Sequence, residues 1–197
     1  MKVLIGVASA GLQYVETIRS CYWQMGKNGD EIVDSFNRRG DIGRESFADI
    51  LLHNPKYDQD DALLLLDADQ KHPIDMLKKL RVHNLDMVCA HYYARDAENI
   101  KSMCYERVDG VLTPLKDIPK SGMHKIDATG WGCVLVKKKV IAAVREITPE
   151  GVRTMGTDLD FFTRAGELGY QLWLDADVES EHAVTILLNH KTAERLK

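Results

Sequence analysis

The chain has 197 residues, about one domain against the usual prior of roughly 100–200 residues. Hydrophobic residues make up 45% and charged residues 28%, a globular balance that excludes a disordered or fibrous chain. With 26 Lys and Arg against 30 Asp and Glu, the net charge of −4 speaks against a general nucleic-acid coat or a polybasic membrane binder.

The first element, Val3 to Ala8, follows Lys2 and precedes Ser9-Ala10, which imitates a small signal peptide. Its apolar stretch is shorter than the roughly 7–15 residues such a segment needs, so it reads as a buried strand ended by the Ser9-Ala10-Gly11 turn. Leu12 to Met25 carries apolar residues at Leu12, Val15, Ile18, Cys21, Tyr22 and Met25, the spacing of one helix face. A short strand is expected around Glu31–Phe36. A helix over Arg44 to His53 presents Phe47, Ile50 and Leu51 and closes at Asn54-Pro55. Ala62 to Leu66 is an unbroken apolar run, the mark of a strand covered on both faces. Pro73 opens a helix through His83, and Leu85–His91 is the next strand. This alternation predicts an α/β fold with a parallel sheet and crossover helices.

From Tyr93 to Met123 the pattern weakens into short strand-like pieces and turns such as Asp109-Gly110. Beyond it lie a strand at Val134–Val136, helices at Lys138–Arg145 and Asp158–Leu168, and a strand at Tyr170–Leu174. The tail from Ala183 to Lys197 reads as helical. No composition shift marks a boundary, so residues 1–197 are expected to form a single domain. The cysteines Cys21, Cys89, Cys104 and Cys133 form no C-x-x-C pair and read as small buried hydrophobes. No apolar run approaches the ~18 residues of a membrane span, and the expected compartment is the cytoplasm.

Chemistry is concentrated at Asp67-Ala68-Asp69, at the end of the central apolar strand. Residues at i and i+2 of an extended segment point to one side, so both carboxylates can face one site. Ligands of open α/β sheets bind beyond the carboxyl ends of the strands, where this pair falls. Two such carboxylates repel unless a cation joins them, and oxygen ligands suit Mg²⁺ or Mn²⁺. The plain alternative is a polar strand end with Asp69 serving a turn. Thr157 followed by Asp160 resembles a capping box, so Asp158 can serve the helix dipole alone. Leu-Asp-Ala-Asp recurs at Leu174–Asp177, where it competes as a metal motif.

The order of motifs resembles that of GT-A glycosyltransferases, in particular small family-2-like enzymes of bacteria and phages. The resemblance runs from about Val3 to His182. It rests on the strand ending near Ala8-Ser9, the helix led by Arg44, Asp67-x-Asp69 with His72-Pro73, and Tyr92-Tyr93-Ala94-Arg95. Gly130-Trp131-Gly132-Cys133, Gly156-Thr157-Asp158 and His182 complete it. It implies a GT-A, Rossmann-like and mostly parallel sheet with flanking helices. It also implies a nucleotide-diphosphate sugar donor, a hydroxyl acceptor, and Mn²⁺ or Mg²⁺. By position, Asp69 and His182 become metal ligands. Asp67 lies nearer the donor ribose or binds the metal through water. Ala8, Ser9, Arg44, Arg95 and Trp131 line the donor, and Asp158 is the base of an inverting reaction. The first Leu-Asp-Ala-Asp is then the metal motif, and the second falls in the closing strand. Two other readings stay open: a sugar-phosphate nucleotidyltransferase, although Ala8–Gln13 has no basic residue, and a catalytically silent sugar-nucleotide-binding module. No P-loop or G-x-G-x-x-G spacing supports an ATPase or a Rossmann dehydrogenase.

Overall fold

A computed structural model of the chain describes residues 1–9, 15–26, 29–35, 38–94 and 100–183. Arg95 and the expected tail helix after Ala183 lie outside the described residues. In chain order the first elements are β1 (Val3–Ala8), α1 (Val15–Tyr22), β2 (Glu31–Asp34), α2 (Gly40–His53), β3 (Ala62–Asp67), β4 (Gln70–Lys71), α3 (Met76–Val82) and β5 (Met87–His91). They are followed by β6 (Cys104–Val108), β7 (Val111–Pro114), β8 (Met123–Ile126), β9 (Ala128–Thr129) and β10 (Cys133–Lys137). The last are α4 (Lys138–Ile147), α5 (Asp158–Glu167), β11 (Leu172–Glu179) and β12 (Glu181–His182).

The unbroken apolar runs become the middle of a seven-stranded sheet ordered β2-β1-β3-β10-β5-β11-β8. Every residue of β1, β5 and β10 is buried, as strands covered on both faces must be. Five strands run in one direction; β10 and the edge strand β8 run against them. The sheet is therefore mostly parallel, and β10 enters its centre from the edge where β3 and β5 end. Side chains alternating along the strands feed two cores. One holds Leu63, Leu65, Val134, Phe47, Phe161 and Phe162 with α2, α4 and α5. The other holds Leu64, Leu66, Leu135, Met76 and Leu80 with α1 and α3. All four cysteines are unpaired and buried, as expected of small hydrophobes. Among the described residues no helix is long and apolar enough to cross a membrane.

Three local readings need correction. Helix α2 begins at Gly40, one turn before Arg44, so Arg44 sits inside the helix rather than at its head. Helix α3 starts at Met76; Pro73 stays in the preceding turn, where its carbonyl accepts from the Met76 N–H. The buried face of α1 takes only part of the apolar stripe. Val15 is 74% exposed, and Tyr22 and Met25 are about half exposed. Cys21 of the stripe is buried and Ile18 packs on the core, with Thr17 and Ser20 beside them and Gln24 just past the helix. This helix packs on backbone that needs donors, so hydroxyls and an amide are inside. The turn at Asp109-Gly110 holds as read. Both residues have positive φ, 49° and 82°, which suits a tight hairpin between β6 and β7.

Close packing of α2 on β1 depends on Gly6, where an added Cβ would lie 2.5 Å from Cδ2 of Phe47. Gly6→Ala should therefore cost about 1–3 kcal/mol of stability through overpacking. Combining it with Phe47→Leu should cost less than the sum of the two single changes, measured by urea unfolding.

Candidate functional site

The carboxyl ends of β1 and β3 lie side by side, with Ala8 paired to Asp67. β10 starts beside them, and the Asp67 N–H donates to the Gly132 carbonyl at 3.2 Å. The chain then turns through Ala68-Asp69 into β4, which pairs antiparallel with β12 and sets His182 opposite Gln70. This short ladder brings His182 Nε2 to 3.3 Å from Asp69 Oδ1. The other ring nitrogen, Nδ1, lies 2.9 Å from the Tyr93 carbonyl. A carbonyl only accepts, so Nδ1 carries a proton and Nε2 is the nitrogen turned to the carboxylate. Burial disfavours the charged ring. The Asp69 hydrogen bond, the Tyr93 carbonyl and the charges of Asp69 and Asp67 outweigh it, and the His182 pKa rises.

Arg44 reaches the same edge from α2. Its Nη2 donates to Asp67 Oδ1 at 3.2 Å, and its charge also acts on Asp158. Asp67 is pushed above the usual carboxylate range by burial and by Asp69, with Arg44 opposing. Asp158 opens α5. It is also raised, chiefly by burial, against the Leu159 N–H and Arg44. Thr157 is the cap: its hydroxyl accepts from the Asp160 N–H at 3.3 Å, as the sequence spacing predicted. Asp158 is thus not needed as the capping side chain, although its Oδ1 takes the Leu159 N–H at 2.9 Å.

Not every expected residue faces open space. Ser9 is 2% exposed, and its hydroxyl donates to Asp34 Oδ1 at 2.6 Å. Trp131 is also 2% exposed, its ring 4.9 Å from Phe161 and 5.1 Å from Phe162 by centroids. The indole therefore fixes α5 against the start of β10, and its buried Nε1 has no hydrogen-bond partner among the described residues. Arg95 lies outside the described residues. The second Leu-Asp-Ala-Asp is in β11: Asp175 takes His83 Nε2 at 2.8 Å, and Asp177 takes the Gly122 N–H.

Sequence reading passed over Thr17, and it gave His72 and Tyr92, quoted in its motifs, no role beneath the Asp67–Asp69 turn. Thr17 Oγ1 donates to the Ala68 carbonyl at 2.6 Å. His72, 2% exposed, lies between Ser180 and the Asp67 carbonyl, and burial lowers its pKa to about 4. Tyr92, equally buried, accepts the Gly132 N–H at 3.0 Å. For α1 the available signal was the polar pair Thr17 and Ser20, three apart on a helix, while His72 and Tyr92 already stood in the quoted motifs.

Two donor atoms 3.3 Å apart fit a small divalent cation, because neighbouring ligands about 2.1 Å from an octahedral ion stand roughly 3 Å apart. The hydrogen bond from Nδ1 to a carbonyl is the usual support of a ligating imidazole. Among the described residues no group of three or more His, Cys, Asp or Glu side chains is placed to hold a metal. A cation here would take its other ligands from water and from phosphate oxygens, as Mg²⁺ and Mn²⁺ do.

No protein-family model matches the chain, and no curated protein sequence matches it. Solved structures do. A197 from STIV is similar at a TM-score of 0.62 and 20% identity, covering 96% of this chain and 100% of that one. GalNAc-T7, solved with UDP, GalNAc and Mn²⁺, is similar at a TM-score of 0.56 and 8% identity, covering 94% of this chain and 44% of its own. At these identities the likeness is one of fold. The chain has the GT-A fold of glycosyltransferases, a mixed and mostly parallel seven-stranded sheet between helices.

The Arg44–Asp67 pair is half-buried, so removing the cation leaves a carboxylate with poor solvation. Arg44→Met should lower stability by about 1.5–3 kcal/mol, the range for hydrogen bonds to charged groups. Adding Asp67→Asn should return part of that loss, and a double-mutant cycle by denaturant unfolding measures the coupling.

Proposed function

We propose that this chain is a metal-dependent glycosyltransferase, a single catalytic domain similar to the small family-2-like enzymes, which moves a sugar from a nucleotide-diphosphate donor to an acceptor hydroxyl with inversion. The carrying observation is the pairing of Asp69 with His182 at 3.3 Å, on the edge where Arg44 stands near both Asp67 and Asp158. The GT-A fold and the Mn²⁺ and UDP of GalNAc-T7 support it. Four unpaired cysteines suit a reducing compartment, which accords with work in the cytoplasm.

Asp69 Oδ1 and His182 Nε2 would hold Mn²⁺ or Mg²⁺, which as a Lewis acid supplies charge stabilisation for the departing diphosphate. Asp67 orients the donor, and Arg44 gives charge-assisted hydrogen bonds to phosphate oxygens. Ala8, Ser9, Arg95 and Trp131 belong to the donor side, Ser9 and Trp131 through the backbone and packing they fix. Asp158 takes the proton from the acceptor hydroxyl as its oxygen bonds to the anomeric carbon and the bond to the diphosphate breaks. A carboxylate whose pKa burial raises is a better base than an exposed one.

The reading is tested first by thermal shift with nucleoside diphosphates and their sugars, with and without Mn²⁺, since a ligand of the folded state raises its melting temperature. A Mn²⁺-dependent rise with one donor is expected, and Asp69→Ala should abolish it while the variant still melts cooperatively. Donor binding that is unchanged in excess EDTA would overturn the metal requirement.

Asp158→Asn should slow single-turnover transfer by roughly 10²–10⁴-fold and leave donor affinity nearly unchanged. A wild-type rate with a lowered melting temperature would return Asp158 to a helix-start role. Donor binding without turnover by any acceptor would favour a silent binding module.

A further inference from the structure

The Asp67–Asp69 turn leaves the sheet ladder, so its carbonyls need donors from elsewhere. Three different segments supply them. His72 Nε2 faces the Asp67 carbonyl at 3.4 Å, Thr17 Oγ1 donates to Ala68 at 2.6 Å, and the Ala183 N–H donates to Asp69 at 2.9 Å. The His72 N–H in turn donates to Ser20 Oγ at 2.9 Å. Because the Asp67 carbonyl only accepts, the His72 proton is on Nε2, and Nδ1 accepts from the Ser180 hydroxyl at 2.9 Å. Ser180 is held by its own N–H on the His91 carbonyl at 2.8 Å, and two residues later the chain reaches His182.

One buried imidazole therefore ties the strand end that carries Asp67 and Asp69 to the segment that carries His182. Ser20 is fully buried, and His72 and Ser180 are each 2% exposed, so the three lie beneath the surface of the site. We propose that His72 and Ser180, with Thr17 and Ser20 of α1, are positioning residues that set the Asp69–His182 separation and hence the affinity for the divalent cation. This rests on the metal reading above, and part of its test does not.

The test uses the full chain as Ser180→Ala, Thr17→Val and His72→Gln, with Thr148→Val removing a hydrogen-bonded hydroxyl at the end of α4 as the comparison variant. Mn²⁺ alone is the probe, followed by electron paramagnetic resonance of the free ion. Loss of the Ser180 or Thr17 hydroxyl should weaken Mn²⁺ binding by about 10–100-fold, the range for supports of metal ligands. His72→Gln, which can keep a donor toward the Asp67 carbonyl, should lose less than Ser180→Ala and Thr17→Val combined. Thr148→Val should lower the melting temperature and leave Mn²⁺ binding as in the wild type. In metal-free protein, the His182 ring ¹⁵N resonances of Ser180→Ala and Thr17→Val should move toward those of Asp69→Ala. Should His72→Gln fail to fold, the two single-hydroxyl variants decide the matter. Lowered melting temperatures with wild-type Mn²⁺ affinity and wild-type His182 resonances would overturn the proposal. A wild-type protein that binds no Mn²⁺ would sink the metal reading alone, and the His182 resonances of the metal-free variants would then decide positioning.

Discussion

A strand that ends inside a protein leaves carbonyl groups without ladder partners, and each must be met before the turn can stay buried. At the end of β3 this constraint shapes much of the molecule. It puts Thr17 and Ser20 on the inner face of α1, sets a neutral His72 under the turn, and draws the chain after β11 back to pair with β4. Acidic side chains at the surface of that turn are then carried by backbone fixed from below. The hydroxyls on the inner face of α1, beside buried Cys21, are the direct result.

Charge is arranged on the same edge with few groups. Arg44 pairs with Asp67 and its charge also acts on Asp158, and Asp69 has His182. Burial raises both Asp67 and Asp158, so neither is an ordinary surface carboxylate. The Trp131, Phe161 and Phe162 cluster holds the start of α5, and with it Asp158, against the start of β10. Aromatic packing thus fixes one end of the site, and hydrogen bonding fixes the other.

Much of the fold was legible because strands buried on both faces write themselves as unbroken apolar runs: Val3–Ala8, Ala62–Leu66 and the neighbourhood of Val134 all took their places. The polarity of β10 was not legible, since a short apolar run carries no sign of its direction. Thr157 as a cap was readable because a cap is local in sequence. The nearness of Asp69 and His182 came from the ordered motifs, whereas no pattern placed His72 beside Ser180. At α1 periodicity found the helix and the inward Ile18 and Cys21 but not Thr17 and Ser20, because it scores apolar spacing and cannot know that part of the surface beneath is backbone.

β5 and β10 are antiparallel neighbours, and both meet the next stretch of chain at the edge that carries Asp67. Topologically, residues 92–132 connect these two neighbours as one long excursion, which lends β8 to the edge of the same sheet and has both its ends fixed by it. Loop closure costs grow only slowly with length, about 0.6 kcal/mol per doubling. Changes of length at the β6–β7 hairpin turn can thus be absorbed while Gly132 stays hydrogen-bonded to Asp67. Two ends held by the sheet thus let the intervening connection change while the edge that carries Asp67 keeps its backbone pairing.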